Sequence, residues 1–193
     1  MNPDEKKERL KDKIYKIFKN NKFPGNCNIV YNEINDYPED ESMRIKNAFK
    51  EKDDWTKLDT KFLDEVPDGL ASALSFFSPP AFRFYLPAYL IADINNKLIN
   101  VDLIFHLCNY FMNSEKDKYI SESYGETRWW DYGIYRFSVF TLAEVKVIIE
   151  YLQYKLKSSL LGELYKEEIR QALENYWLKR FEYLKNKKGY ISQ

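Results

Sequence analysis

Apolar residues at helical spacing predict an amphipathic helix at the start of the chain. Leu10, Ile14, Ile17 and Phe18 recur among charged side chains within residues 4–20. Spacings of three and four residues place such side chains on one face of a helix and leave the charged residues on the other. We therefore expect an N-terminal surface helix that buries one face.

The same kind of pattern predicts two helices towards the end of the chain. Thr141 and Glu144 form a Thr-x-x-Glu capping box, and apolar residues follow at helical spacing as far as Leu156. A capping box satisfies two backbone donors and marks the start of a helix. A second apolar stripe at helical spacing covers residues 163–185 and predicts the last helix.

The middle of the chain, residues 71–112, contains so few charged residues that we expect it to form most of the core. Ser78 followed by Pro79 is typical of a helix start, because serine caps the first turn and proline fits its first position. Pro87 cannot donate a backbone hydrogen bond, so we expect this helix to kink or restart near Leu86.

Residues 113–140 are polar at first and then dense in aromatic residues, which favours a long loop with at most a short hairpin. The fold class we predict is mainly α: a single-domain, irregular bundle of six or seven helices with at most a small β-hairpin.

Composition narrows the classes of function. The chain has 193 residues and no net formal charge, because 30 basic residues balance 30 acidic ones. Nucleic-acid binding needs a basic face, so we expect no nucleic acid as partner. The most apolar stretch is broken by prolines and a charge, so we expect no membrane span. A charged N-terminus without an apolar core and two unpaired cysteines, Cys27 and Cys108, predict a cytoplasmic protein.

The sequence shows no established catalytic spacing. His106 is the one histidine, so a site with several histidine ligands cannot be built within one chain. Phosphate-binding, dinucleotide-binding and zinc-binding motifs are also missing from the sequence. We expect no catalytic residue, no metal and no cofactor.

One segment carries a resemblance to a known family. The run LSFFSPPAFRFYLPAYLIADI, residues 74–94, follows Trp55 and contains an Arg-x-Tyr-Leu-Pro-Ala-Tyr-Leu signature. It resembles the signature of a bacterial family of unknown function, DUF6714. The resemblance implies a bacterial, cytoplasmic protein and carries no activity to transfer. We expect it to cover about residues 49–156. Residues 36–157 would then be a family-like core, with a helix and loop at 1–35 and a C-terminal helix at 158–193.

Five residues are candidates for binding a small ligand: Arg83, Tyr85, Tyr89, Asp93 and His106. A buried arginine needs a partner, so Arg83 is an anion clamp, a member of a structural salt bridge, or a surface residue on the one solvated face of its helix. Tyr85, Tyr89 and Asp93 share one helix face, which fits either a polar cleft or aromatic packing. His106 on an apolar helix is either a general base or a packed side chain.

A second set of candidates forms the densest aromatic cluster: Trp129, Trp130, Tyr132, Tyr135 and Arg136. If exposed, these residues are typical of a recognition surface, because tryptophan, tyrosine and arginine dominate binding at interfaces. If buried, they close one side of the core.

The function we predict is a non-enzymatic, cytoplasmic, protein-binding module with an unknown protein partner, of an immunity-like or regulatory kind. The alternative is a small-ligand or anion-binding protein, or an enzyme, with a cleft around Arg83, Tyr85 and Tyr89. A homodimer formed through the two C-terminal helices is a third interpretation.

Overall fold

A computed structural model describes residues 2–30, 41–65, 73–120, 127–158 and 162–189. Regular secondary structure in these ranges is helical, and two isolated antiparallel bridges stand in place of strands. The mainly α prediction is confirmed. The chain divides into two compact units, Met1–Leu103 and Ile104–Gln193. The expected single domain and its boundaries after residues 35 and 157 stay predictions.

The described residues of the first unit form five α-helices. They are α1 (Pro3–Phe18), α2 (Glu41–Ala48), α3 (Thr60–Glu65), α4 (Ala73–Phe76) and α5 (Pro79–Ile94). Asn2 and Glu5 cap α1 reciprocally, and α5 packs against both α1 and α3. A 3-10 turn, Trp55–Lys57, precedes α3, and Leu58 between them has an extended backbone.

Helix α5 begins as predicted, with the Ser78 hydroxyl accepting from the Ala81 amide. It runs on through Pro87 to Ile94, so it does not restart near Leu86, and the kink that we gave as the alternative stays a prediction. Pro87 leaves the carbonyl oxygen of Arg83 without its usual helical donor. The side-chain amide of Asn21 donates to that oxygen at 3.5 Å and takes the place of the missing donor.

The loop after α5 is held by the carboxylate of Asp64, a buried residue of α3. Its Oδ1 accepts from the amides of Ile99, Asn100 and Val101 at 2.7, 2.9 and 3.3 Å. Its Oδ2 accepts from the Asn100 side chain at 3.1 Å. Burying a carboxylate is tolerable here because its oxygens are hydrogen-bonded.

Among its described residues, the second unit contains five α-helices. They are α6 (Leu103–Cys108, which begins one residue before the unit), α7 (Trp129–Phe137), α8 (Leu142–Leu156), α9 (Glu163–Ala172) and α10 (Leu178–Gly189). The capping box of α8 is present: the Thr141 amide donates to Glu144 at 2.7 Å. A π-helical turn, Leu173–Trp177, joins α9 to α10, so the predicted last helix is continuous but contains one wide turn.

An aromatic cluster forms the core of the second unit. Phe111, Phe137 and Trp177 are fully buried, and Phe137 and Trp177 have ring centroids 4.9 Å apart. The Trp177 indole nitrogen donates to the Leu107 carbonyl at 3.0 Å, so its polar atom is satisfied. Aromatic pairs in such geometry add to the stabilisation from burial alone.

The predicted long loop is wrong over residues 129–137, which form α7. Aromatic residues and a glycine are weak helix formers, so the sequence pattern favoured a loop. Packing overrides that preference: a Cβ atom on Gly133 would lie 2.6 Å from the Cβ of Tyr110. A bridge between Tyr119 and Arg128 fits the small hairpin that we expected as an upper limit.

Candidate interaction surface

The first set of candidates lies on α5, apart from His106. Arg83 is half-buried, and its Nη2 donates to Oδ1 of Asn21 at 3.5 Å. Asp93 is half-buried as well, while Tyr85 and Tyr89 are fully buried. Arg83 and Asn21 therefore contact each other through two hydrogen bonds, one of which completes α5 at Pro87.

Tyr85 and Tyr89 pack in the core of the first unit. Tyr85 has its ring 4.8 Å from that of Phe49, and its hydroxyl donates to the Lys52 carbonyl at 3.0 Å. The Tyr89 hydroxyl has no hydrogen-bond partner among the described residues. Burial raises the pKa of both hydroxyls, with a smaller contribution from nearby negative charge. This arrangement favours the packing interpretation over a polar cleft.

His106 is a packed side chain of the second unit, with 4% of its surface exposed. Burial and, to a smaller extent, the charge of Arg136 together lower its pKa to about 3. A general base works best with a pKa near the working pH. His106 is therefore neutral at pH 7 and far from the pKa that proton transfer would need.

The second set of candidates divides between surface and interior. Trp129, Trp130 and Tyr132 are half-buried and Tyr135 is exposed. Arg136 is fully buried, so for this residue the structure favours the second alternative, a side chain that closes one side of the core. Its Nη1 donates to the Tyr132 hydroxyl at 2.9 Å, so α7 directs this cation inward while other side chains stay accessible.

An open apolar groove runs along the surface between α7, the π-helical turn and α10. We call it the α7–α10 groove, and its volume is about 280 Å³. It is lined by Trp130, Ile134, Asn175, Tyr176, Lys179, Arg180 and Tyr183. Ile134 is 43% exposed and Tyr183 is 56% exposed, so large apolar surface faces solvent here.

Buried aromatic rings support the groove from below. The Phe111 ring stacks on Tyr176 with centroids 4.0 Å apart, and its edge meets Trp130 at 5.6 Å. The Asn175 side chain donates to the Phe111 carbonyl at 2.9 Å. The groove floor is therefore fixed by packing and hydrogen bonds rather than assembled by loose side chains.

Three cations border the groove. The Arg180 guanidinium lies 5.5 Å from the Tyr183 ring, and its Nη2 donates to the Ser138 carbonyl at 2.9 Å. Lys116 lies 5.6 Å from the Trp130 ring, and Lys179 is exposed. These positions suit cation–π attraction, which draws a cation towards an aromatic face.

Two buried polar atoms at the groove lack hydrogen bonds within the described part of the chain. They are the hydroxyl of Tyr176 and Nε of Arg180. Burial raises the Tyr176 pKa to about 12, although the Arg180 charge opposes that rise. Buried polar atoms in folded proteins are nearly always hydrogen-bonded, so two exceptions at one place mark it as unusual.

The groove contains residues that the sequence did not single out. Asn175 and Tyr176 belong to the π-helical turn, and π turns occur often at functional sites. Lys179, Arg180 and Tyr183 follow on α10. The signal that could have found them is the basic excess of α10, whose five basic residues face one acidic residue.

A second open depression lies in the first unit and includes Asp53, Asp54 and Asp59. The Asp54 carboxylate accepts from the Thr56 amide at 3.0 Å and pairs with Lys57 at 3.0 Å, as expected for a capping residue. The described residues contain no group of three or more side chains suited to a metal ion. Within the same ranges, every helix is too short or too polar to cross a lipid bilayer.

The fold and the groove define a mainly α protein with an exposed aromatic groove bordered by cations. The chain belongs to the family of unknown function DUF6714, whose family model matches residues 6–181. The match includes most of α1 and the start of α10, so the expected limits of residues 49–156 were too narrow. Comparison with curated proteins and with solved structures gave no match to this chain.

Proposed function

We propose that the chain is a bacterial, cytoplasmic, protein-binding module and that the α7–α10 groove is its contact surface. The observation that carries this proposal is the exposure of Ile134 and Tyr183 along an apolar groove. An exposed apolar patch with a polar border is typical of a protein interaction site.

The composition of the groove supports a protein as the ligand. Trp130, Tyr176, Tyr183 and Arg180 are of the residue types that contribute most to binding at protein interfaces. Stacking of Tyr176 on Phe111 holds the floor in place before a partner arrives. A preformed floor reduces the conformational entropy that binding would cost.

The placement of the other candidates favours binding over catalysis. Tyr85 and Tyr89 are fully buried, and His106 has a pKa of about 3. These side chains stabilise the two units from within, whereas the groove brings two exposed side chains, Ile134 and Tyr183, together at one accessible site. An immunity-like or regulatory role belongs to the same proposal.

The proposal is tested by affinity capture from a lysate of a bacterium that encodes a family member. Three baits are compared: wild type, Ile134→Glu in the groove and Leu164→Glu on α9. Leu164 is 71% exposed and lies outside the groove lining, so its substitution adds the same charge without touching the groove. Circular dichroism checks that all three baits are folded.

We expect a protein that wild type and Leu164→Glu retain and that Ile134→Glu loses. Binding of the purified partner should weaken at least about ten-fold in Ile134→Glu, because a charge would be buried without a partner. Retention by all three baits would contradict the proposal. A dimer of wild type that Ile134→Glu disrupts, measured by light scattering, would show that a second copy of the chain occupies the groove.

A further inference from the structure

The cations at the groove differ from many other basic residues on the surface in whether a carboxylate pairs with them. Several basic residues outside the groove form ion pairs with a carboxylate three residues away. Examples are Lys118 with Glu115 at 2.7 Å, Lys166 with Glu163 at 2.8 Å and Lys185 with Glu182 at 3.7 Å. Lys116, Lys179 and Arg180 form no ion pair within the described ranges.

The charge around the groove is one-sided. Among the lining residues, Lys179 and Arg180 are cations and none is acidic. Lys116 adds a third positive charge beside Trp130. Helix α10 as a whole has a net charge of +4, although the complete chain has none. A cleft lined by one sign of charge attracts a ligand of the opposite sign.

We propose that the groove binds an acidic protein segment with one apolar side chain. The apolar side chain lies on the aromatic floor, and flanking carboxylates pair with Lys116, Lys179 and Arg180. This inference rests on the proposed function and specifies the partner's chemistry. A partner of this kind accounts for both features of the groove: its apolar surface and its positive charges that form no ion pair among the described residues.

Arg180 is held ready for a carboxylate. One of its terminal nitrogens is bound to the Ser138 carbonyl, and its guanidinium is placed against the Tyr183 ring. These two contacts restrict the side chain, so less entropy is lost when a carboxylate binds. Lys116 has a ring contact but no such hydrogen bond within the described part of the chain, and both it and Lys179 act as point charges.

A polypeptide fits this groove better than a nucleic acid does. Ile134 contributes an aliphatic side chain to the lining, which suits an apolar side chain rather than a stacked base. Three cations are few for a strand that carries one phosphate per nucleotide, and the chain has no net positive charge.

The test uses three capped pentapeptides with the same central Leu, flanked on each side by two Glu, two Gln or two Lys residues. Binding is followed by nuclear magnetic resonance of the Trp130 indole group and by calorimetry. We expect the Glu peptide to bind about five- to ten-fold more tightly than the Gln peptide, because exposed ion pairs are individually weak. Raising NaCl from about 50 to about 300 mM should remove most of that difference.

Charge reversal distinguishes recognition from a general loss of structure. The double variant Lys116→Glu, Lys179→Glu should prefer the Lys peptide over the Glu peptide. The matched control Lys7→Glu, Lys187→Glu makes the same change in net charge on residues outside the groove lining and should keep the wild-type preference. Preference reversal cannot arise from partial unfolding.

Equal affinity for the Glu and Gln peptides in wild type would overturn the inference. So would tighter binding of a short oligothymidylate with the same dependence on Lys116 and Lys179, since the groove would then serve a nucleic acid. A cellular partner that depends on Ile134 but binds without charge preference would leave the proposed function intact. Charge-dependent peptide binding without such a partner would contradict the proposed function alone.

Discussion

At the scale of single residues, the burial of His106 makes the stability of the folded chain depend on pH. Its pKa of about 3 in the folded chain compares with about 6.5 for an exposed histidine. The folded-state pKa is lowered, so the unfolded chain binds a proton at a higher pH than the folded chain does. Stability is therefore complete above about pH 6.5 and falls as the pH decreases towards 3.

We expect the free energy of unfolding to fall by about 1 kcal/mol from this source between pH 7 and pH 5.5. Replacing His106 with glutamine removes the titrating group, so the variant should lose about 1 kcal/mol less over the same interval. Urea unfolding at the two pH values measures the difference. Because the chain has one histidine, its proton resonance can also be followed directly, and a titration near pH 6.5 in the folded chain would refute this account.

Asp64 illustrates a second residue whose role is structural. Replacing it with alanine leaves the amides of Ile99, Asn100 and Val101 without their acceptor. We expect the free energy of unfolding to fall by about 2 kcal/mol, since partly buried donors would lose their partner. Asp12, which is exposed on α1, provides the control: its replacement by alanine should change stability by less than about 0.5 kcal/mol. Equal effects in both variants would show that the loop does not depend on Asp64.

At the scale of elements, the position of α7 depends on close approach at Gly133. Alanine is the better helix former by about 1 kcal/mol. Its Cβ would lie 2.6 Å from the Cβ of Tyr110, an atom that cannot move without its backbone. Overpacking costs about 1 to 3 kcal/mol, so the clash outweighs the gain in helix propensity. We expect Gly133→Ala to destabilise the chain by up to about 2 kcal/mol in urea unfolding, and a neutral or stabilising effect would contradict this packing.

Local signals in the sequence predict where α5 and α8 begin, but they do not predict that α7 is a helix. Ser78 before Pro79, and Thr141 with Glu144, act on the first turn of their own helices, so neighbouring residues are enough to identify them. Helix α7 forms because Gly133 fits against Tyr110, a residue distant in sequence. Likewise, the hydrogen bond from Asn21 that accompanies Pro87 joins residues far apart in the chain.

Only part of the groove could be predicted from the sequence, because its residues are brought together by contacts between segments that are far apart in the chain. The sequence identified Trp130 as a surface candidate from aromatic density alone. Lys179, Arg180 and Tyr183 join it because α10 lies beside α7 in space, and no local pattern encodes that arrangement. Arg136 shows that residue type alone does not decide exposure: arginine is common at interfaces, but this one is buried.

At the scale of the whole molecule, a single domain should unfold in one transition. Trp55 and His106 report separately on the first and second units. The Trp55 indole donates to the Phe18 carbonyl at 3.3 Å, which gives its proton a distinct environment in the folded state. We expect both resonances to lose intensity at the same urea concentration. Midpoints that differ would show that the chain consists of two domains that unfold independently.

The π-helical turn has a consequence for how this chain tolerates insertions and deletions. Each residue of an α-helix advances the helix by about 100°. A π turn accommodates one residue more than an α turn does. Removing one residue from Leu173–Trp177 would therefore rotate every side chain of α10 by about 100° relative to α9, and carry Arg180 and Tyr183 away from Trp130. In an alignment of relatives, a one-residue gap at this place would look trivial, yet it would separate chains that have this groove from chains that do not.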